Sequence, residues 1–476
     1  MSRNPTFSVE VVREIESELS EPLFRRVPIG PCLSASIHIS LYNGGGDWSL
    51  KERWKNRLRR LKHYMRPRTV RQPQPSIPSS RVLVTWLADT PRVNDLVFPV
   101  LDELGPEKSI LLCSSEKMLS KTPSGYDAFS FEQMMRYDVA AWRADYQRCR
   151  TEWHRRLVAL IHKHRLPNGA FDVLALGMMV ASQHVAGCQE SLPAIRPSAI
   201  LVEHDRQSNW SCLVLAAKAL GIPTYTLMHG VAGKDCVGFH PLLADAVFCW
   251  GQLDRGKFLR AGLEPRRALI GGCPRLTRDL TVSPADARRK LGLDPGKPVV
   301  MLGTDNIRLD YRHQIAEAFC KAVQGQTAFS ALVRLHPSEI IPDYEEVQKK
   351  YPDVRFVTND VCTLDEALAA ADVVVVHCSG LGSDALTKRR LTVVLDVVEA
   401  PLGHGQDLID LAGCPQATSA ESLRDILLQL LADTSERRAC ERAREPFVTG
   451  FIAYFGKNAA KQIANAVIES EKEVRN

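Results

Sequence analysis

From Arg81 onward the chain alternates short, nearly continuous apolar runs with helical patterns, and it does so twice. In the first half the strand-type runs are residues 81–87, 109–113, 198–203, 223–228 and 246–250, with helical stretches between them at 136–165, 171–193 and 208–220. In the second half they are 298–303, 329–335, 354–357, 372–376 and 391–396. Helices are predicted there over 310–323, 343–350, 363–370, 383–389 and 421–432. A strand that is apolar on both sides must be covered on both faces, and strands joined through helices run parallel. The predicted fold class is therefore α/β, with two Rossmann-like domains facing a cleft. An irregular basic arm precedes them. The length of 476 residues agrees, because a single hydrophobic core rarely grows that large.

The segment 262–285 is rich in loop residues and is the predicted junction. It divides the chain into an arm (1–80), an N-terminal acceptor domain (81–270), a C-terminal nucleotide-sugar domain (271–450) and a last helix (451–476) that packs back. The arm holds a short acidic helix candidate, the glycines 44–46, a basic run and a proline-rich linker. Pro67, Pro73, Pro75 and Pro78 exclude a helix in that linker.

Charge is informative only by its location. Residues 51–72 carry ten Lys/Arg against one Glu, net +9, so the rest of the chain is about −3 although the total is +6. A broad positive face is excluded, and nucleic acid is not an expected partner. The thirteen cysteines are scattered without a CxxC pair, which points to buried free thiols rather than zinc or a disulfide framework. The first twenty residues lack the apolar block of a signal peptide, and no stretch reaches the roughly 18 apolar residues of a membrane span. A cytoplasmic protein is expected.

In an open parallel sheet, ligands bind in the loops past the strands' carboxyl ends. After the run 329–335 the sequence reads Arg334-Leu335-His336-Pro337-Ser338-Glu339. Proline stops the strand and leaves His336 at the rim, where imidazole can donate to a phosphate oxygen and Arg334 adds positive charge. After 372–376 comes His377-Cys378-Ser379-Gly380-Leu381-Gly382-Ser383-Asp384, a small-residue loop leading into a helix. Backbone N–H groups at a helix start attract phosphate, with Ser379 and Ser383 as hydroxyl donors and Gly380 admitting close approach. Thr304 and Asn306 follow the first C-terminal strand and are placed to touch a nucleotide. His229-Gly230 follows the run 223–228 and points at the same cleft.

The stretches GIPTYTLMHGVAG (221–233), ADAVFCWGQLDRGKFLRAGLEPRRALIGGCPR (244–275), VRLHPSE (333–339) and ADVVVVHCSGLGSDALTKRR (371–390) together resemble the GT-B glycosyltransferases of bacterial capsule and lipopolysaccharide assembly. The resemblance covers roughly residues 198–400 and is strongest to the CMP-sugar users, the Kdo transferases and polysialyltransferases. It implies an enzyme that moves a sugar from a nucleotide-sugar donor to a glycan or lipid-linked acceptor; no DxD-type carboxylate pair for a metal–diphosphate complex is visible, so a metal-independent enzyme without a cofactor is expected. It implies that His336 and Ser379 or Ser383 bind the donor phosphate, and that His229 lies near the reacting centre. Those families place an acidic motif past an N-terminal-domain strand, where this chain has Glu203-His204-Asp205 without the usual glycine. Asp205, then Glu203, is the expected general base, with Asp89 and Asp95 past the first strand as further candidates.

Within the basic run, Trp54, Leu58, Leu61 and Met65 share one helical face. An amphipathic helix over residues 51–66 suits an anionic inner-membrane surface carrying a lipid-linked acceptor. The same scaffold also serves UDP-sugar 2-epimerases and CDP-glycerol-type glycerophosphotransferases. A reading of another class is a non-catalytic nucleotide-sugar-binding component of an export complex.

Overall fold

The computed structural model describes residues 9–33, 37, 50–65, 80–167, 169–233, 236, 238–305, 307, 309–398, 404–432 and 434–475. Two wholly parallel sheets carry the chain. The first contains β1 (Val82–Trp86), β2 (Ser109–Cys113), β3 (Ala128–Ser130), β4 (Ala199–Val202), β5 (Thr224–Leu227), β6 (Ala246–Cys249) and β7 (Ala268–Ile270). Their order is β3-β2-β1-β4-β5-β6-β7. The second contains β8 (Val299–Gly303), β9 (Ser330–Arg334), β10 (Arg355–Val357), β11 (Val373–Val376), β12 (Leu391–Leu395) and β13 (Gln416–Ala417), in the order β10-β9-β8-β11-β12-β13. The chain reverses its direction of growth between β1 and β4, and again between β8 and β11. Those two switch points are where a doubly wound sheet opens a crevice.

Each central strand is buried along its whole length, as the unbroken apolar runs require. The first sheet is sandwiched between a cluster containing Val97, Val100 and Leu101 and another containing Leu192, Trp210 and Leu213. The helix Gly456–Arg475 returns from the end of the chain to the first unit. It inserts Ala460, Ile463, Ala464 and Val467 beside the helix Pro91–Leu104. A third cluster joins the units themselves, with Met228, Ala232 and Phe239 packed in one core with Met301, Val376 and Ala385. All thirteen cysteines are free, and only Cys440 is not buried.

The N-terminal segment is seated on the first unit. The helix Val9–Glu18 buries Val12 and Ile15 in a core with Trp142, Trp153 and Leu157. Both carboxylate oxygens of Glu16 accept from Arg206 Nη2 at 2.6 Å in that buried setting. The basic helix Leu50–Met65 rests on the helix Ala170–Ile195, where the buried Asp172 accepts from Arg57 Nε at 2.8 Å and Arg53 Nε at 3.4 Å. By length and composition alone, Ala170–Ile195 is apolar enough to cross a membrane, a possibility the sequence reading excluded. Here 67% of its apolar window is buried inside the protein, so its apolarity reflects a core helix wrapped on several sides. The glycines 44–46 and the linker 66–79 lie outside the described residues.

Candidate functional site

The expected carboxylates separate into different roles. Glu203, immediately past β4, is buried; its carboxylate accepts from the Thr85 hydroxyl and from Trp210 Nε1 at 3.2 Å. Asp205 is 1% exposed, and its Oδ2 accepts the backbone N–H groups of Leu243 at 2.8 Å and Ala244 at 3.0 Å. Burial pushes both carboxyls above their ordinary range. Neither is presented to solvent, and Asp205 is the anchor of the loop before β6 rather than a group open to the cleft. The sequence places both at a strand end but cannot show that the chain turns them inward. Asp89 is open, but its oxygens are held by Lys121 Nζ at 2.7 Å and Asn94 Nδ2 at 2.9 Å, and the Lys121 bond keeps its carboxyl low.

Asp95 differs. It lies one turn into the helix Pro91–Leu104, and desolvation raises its carboxyl, opposed by the charge of Arg275. One turn earlier, Arg92 donates from Nε (3.1 Å) and Nη2 (2.7 Å) to the carbonyl of His229. Gly230 permits this grip, because a Cβ there would stand 2.7 Å from Arg92 Nη2. Arg92 is reachable by solvent and yet flanked closely by protein, as befits a side chain lining a narrow cleft. The sequence reading missed it. Thr90-Pro91, a cap residue followed by proline at the first helical position, was the available signal.

His229 packs against both His204 (ring centroids 3.8 Å apart) and Phe239 (4.6 Å). Burial holds its imidazole well below the usual value, and the positive charges of Arg92 and Arg275 add to this, so it is neutral at pH 7. Its Nδ1 has no hydrogen-bond partner among the described residues. Arg275, in the loop past β7, spans the units to Asp384 and lies over the Trp250 ring.

From the second unit, His336 follows β9 at the same cleft. Its Nδ1 accepts the Ser338 N–H at 3.2 Å, with the Ser338 hydroxyl at 2.8 Å, so the neutral ring carries its proton on Nε2. Burial lowers its pKa, Glu339 and Asp305 oppose this, and Arg92 of the first unit is close enough to add to the lowering. Pro337 is exposed at the strand's end. Arg334, expected on the phosphate, is buried with Nη2 on Asn359 Oδ1 at 2.6 Å. Thr304, expected on the nucleotide, is buried too: it donates to Glu339 at 2.5 Å and accepts the His336 N–H at 2.8 Å. Glu339, the last residue of the His-Pro-Ser-Glu run, also receives Tyr344 and Arg312, and so fixes the His336 turn. Asn306 lies outside the described residues.

The small-residue loop past β11 is tied to β8 by Asp305, which accepts the Cys378 N–H at 3.0 Å. Ser379 Oγ accepts the Leu381 N–H at 3.3 Å, and Ser383 is buried within the helix that follows. That helix, Leu381–Thr387, is only seven residues long. A Cβ at Gly380 would come 3.3 Å from Val231 of the first unit, so this glycine marks a close approach between the units. A Cβ at Gly382 would instead meet Leu408 at 2.4 Å, which makes that glycine a packing requirement. A cavity of about 500 Å³, lined by Asp294, Gln326, Tyr351 and Arg355, lies at the amino-terminal ends of β9 and β10, the opposite end of the strands from these groups.

No protein-family model matches the chain, and no curated protein does. Solved structures do match. A UDP-GlcNAc 2-epimerase from Neisseria meningitidis bound to UDP-GlcNAc is similar with a TM-score of 0.51 at 12% identity, covering 82% of this chain and 100% of that one. A UDP-N-acetylglucosamine 2-epimerase from Rickettsia bellii gives 0.51 at 14%, covering 83% and 98%. A glycosyltransferase from Rickettsia africae gives 0.51 at 12%, covering 84% and 99%. At such identities the likeness establishes the fold. It is the GT-B arrangement of two Rossmann-like domains, common to these epimerases and transferases.

Proposed function

We propose that the chain is an enzyme of nucleotide-sugar chemistry that breaks the bond between the anomeric carbon and the diphosphate. The nucleotide is held by the second unit and the sugar faces the first. The observation that carries this reading is that Arg92 grips the His229 carbonyl past the first sheet, two residues before Val231, which Gly380 of the second unit approaches, while His336 stands past β9 on the second sheet. His336 Nε2–H donates to a phosphate oxygen. The N–H groups of Arg92 not engaged by His229 stabilise the negative charge that gathers on the leaving diphosphate. Ser379, at the close approach around Gly380, stands on the same side as His336. Asp95 replaces Asp205 as the general base, because its raised pKa and its place beside Arg92 suit proton removal.

Two fates of the sugar share this first step. In epimerisation the base takes the proton from C2 as the diphosphate leaves with the bonding electron pair; a proton is then returned to the other face of C2 and the diphosphate re-adds at the anomeric carbon. In transfer it takes the proton from an attacking acceptor hydroxyl. Epimerisation of a UDP-sugar is the first reading, supported by the solved epimerases of this fold and their UDP-linked ligand. Transfer to a glycan or lipid-linked acceptor is the second, favoured by the basic amphipathic helix, which an enzyme with soluble substrates does not need. In either case we place the reaction in bacterial surface-polysaccharide synthesis, a CMP-sugar, whose leaving group is a single phosphate, remaining the alternative donor.

The test is a thermal-shift comparison of UDP, CMP, GDP and CDP, followed by UDP-N-acetylglucosamine in D2O observed by NMR. Ligand binding to the native state raises the melting temperature, and UDP is expected to raise it most. Deuterium entering at C2 identifies epimerisation, and UDP release that requires a glycan acceptor identifies transfer. Absence of stabilisation by every nucleotide would sink the reading.

A further inference from the structure

The basic helix Leu50–Met65 is amphipathic, yet it docks by its polar side. Arg53 and Arg57 pair with the buried Asp172, Arg60 lies over the Phe171 ring, and Tyr64 packs against Trp142 and Tyr146. The carbonyl of His63 accepts from Gln183 at 3.1 Å. At 100° per residue, Trp54, Leu58, Leu61 and Met65 fall on the opposite side in one narrow stripe. They are 61%, 61%, 57% and 63% exposed. A helix on a globular protein ordinarily turns its apolar stripe to the core. Here four large apolar side chains are held outward together by contacts that fix the helix's rotation.

Lys51, Lys55 and Lys62 are exposed along one border of this stripe. We propose that this face docks the protein on an anionic lipid bilayer, with Trp54, Leu58, Leu61 and Met65 entering the boundary between headgroups and acyl chains. The layered chemistry selects the partner. Hydrocarbon beneath phosphate accepts an apolar stripe bordered by cations, whereas a nucleic acid offers no apolar phase for Leu58 and Leu61. The helix lies flat, since its sixteen residues hold too few apolar side chains to span. Because Asp172 anchors the helix, the bilayer fixes the orientation of the whole first unit. This inference goes beyond the nucleotide-sugar reading and does not depend on it.

The experiment is flotation of the full chain with phosphatidylcholine vesicles and with vesicles containing phosphatidylglycerol. Each cation near an anionic surface strengthens binding by about fivefold. The wild type is therefore expected to float with anionic vesicles at low salt, at least roughly tenfold more than with neutral ones, and to be released by about 0.5 M salt. Trp54→Ser/Leu58→Ser/Leu61→Ser and, separately, Lys51→Gln/Lys55→Gln/Lys62→Gln are each expected to lower flotation about tenfold or more. The substituted groups point away from the docked side, so unchanged thermal unfolding checks the fold. Unchanged nucleotide shifts keep this test separate from the enzymatic one. The proposal is overturned if the wild type ignores anionic vesicles or if the serine variant floats as well as the wild type. It is also overturned if the wild type is a dimer that the serine variant makes monomeric, which would make the stripe a self-interface.

Discussion

Arg275 and Asp384 close on one another from different units, each terminal guanidinium nitrogen standing 3.2 Å from a carboxylate oxygen. Both side chains are largely buried, with Trp250 stacked on the guanidinium. The pair ties the loop past β7 to the helix past β11, next to the Gly380–Val231 approach. Asp384→Asn leaves a buried cation uncompensated, which costs about 3–5 kcal/mol. Chemical denaturation should show that loss, and the double change Arg275→Met/Asp384→Leu should recover much of it. An unchanged midpoint in Asp384→Asn would show that the bridge contributes nothing.

His336 is expected to act as a neutral donor, because burial lowers its pKa and Ser338 occupies Nδ1. His336→Ala should weaken UDP binding by about 0.5–1.5 kcal/mol, roughly twofold to twelvefold. Isothermal titration at several pH values distinguishes the protonation state. A neutral donor gives the same mutant-to-wild-type ratio from about pH 6.5 to 8, whereas a charged one makes wild-type binding tighten on acidification.

Asp95 and Asp205 make opposite predictions. Asp95→Asn should leave nucleotide binding intact and slow turnover by about a hundredfold or more. The base form is the reactive one, so activity should rise with pH through a pKa above the ordinary Asp value of 3.8. Asp205→Ala should spare the chemistry per folded molecule. It should lower stability by about 1–3 kcal/mol for each buried amide left unpaired, those of Leu243 and Ala244. A catalytic defect in folded Asp205→Ala without such destabilisation would restore the original assignment.

These reassignments mark where the sequence stops being legible. Apolar runs such as Val373–Val376 mark their own strands, and the ten runs read from the sequence all lie in the two sheets. The strands it lacks, β3, β7 and β13, are three, three and two residues long, and although β10 is no longer, they lack the Val-Arg-Phe-Val run that marks it. Proline and small residues announce where β9 and β11 end, so His336 and Ser379 could be placed at the rim. Which way a carboxylate points past a strand is decided by distant groups. Thr85 and Trp210 draw Glu203 inward, and the amides of Leu243 and Ala244 do the same to Asp205. Arg92 and Glu339 matter through what they grip, which no local pattern displays.

Asp254 supplies the last prediction. Its side chain is fully buried where the helix Gln252–Arg260 meets the second unit, and its carboxylate finds no hydrogen-bond donor among the described residues. Lys257, one turn on, bonds instead to Asp407 of the second unit at 2.6 Å and to the Ala232 carbonyl. Desolvation raises the Asp254 pKa from 3.8 to about 7, against the pull of Lys257 and with the repulsion of Asp407. Unfolded, this group ionises near 4; folded, it keeps its proton to near neutrality. Between those values the folded state binds more protons than the unfolded one, so the contribution of Asp254 to stability falls as pH rises from about 4 to about 7. Asp254→Asn mimics the protonated form in shape and charge. It should flatten that part of the stability–pH curve and stabilise the protein at neutral pH relative to the wild type. Denaturation midpoints of the two proteins at about pH 5 and pH 7.5 decide the matter. If the gap between them does not widen toward the higher pH, Asp254 is already ionised in the folded chain and Lys257 is its true partner.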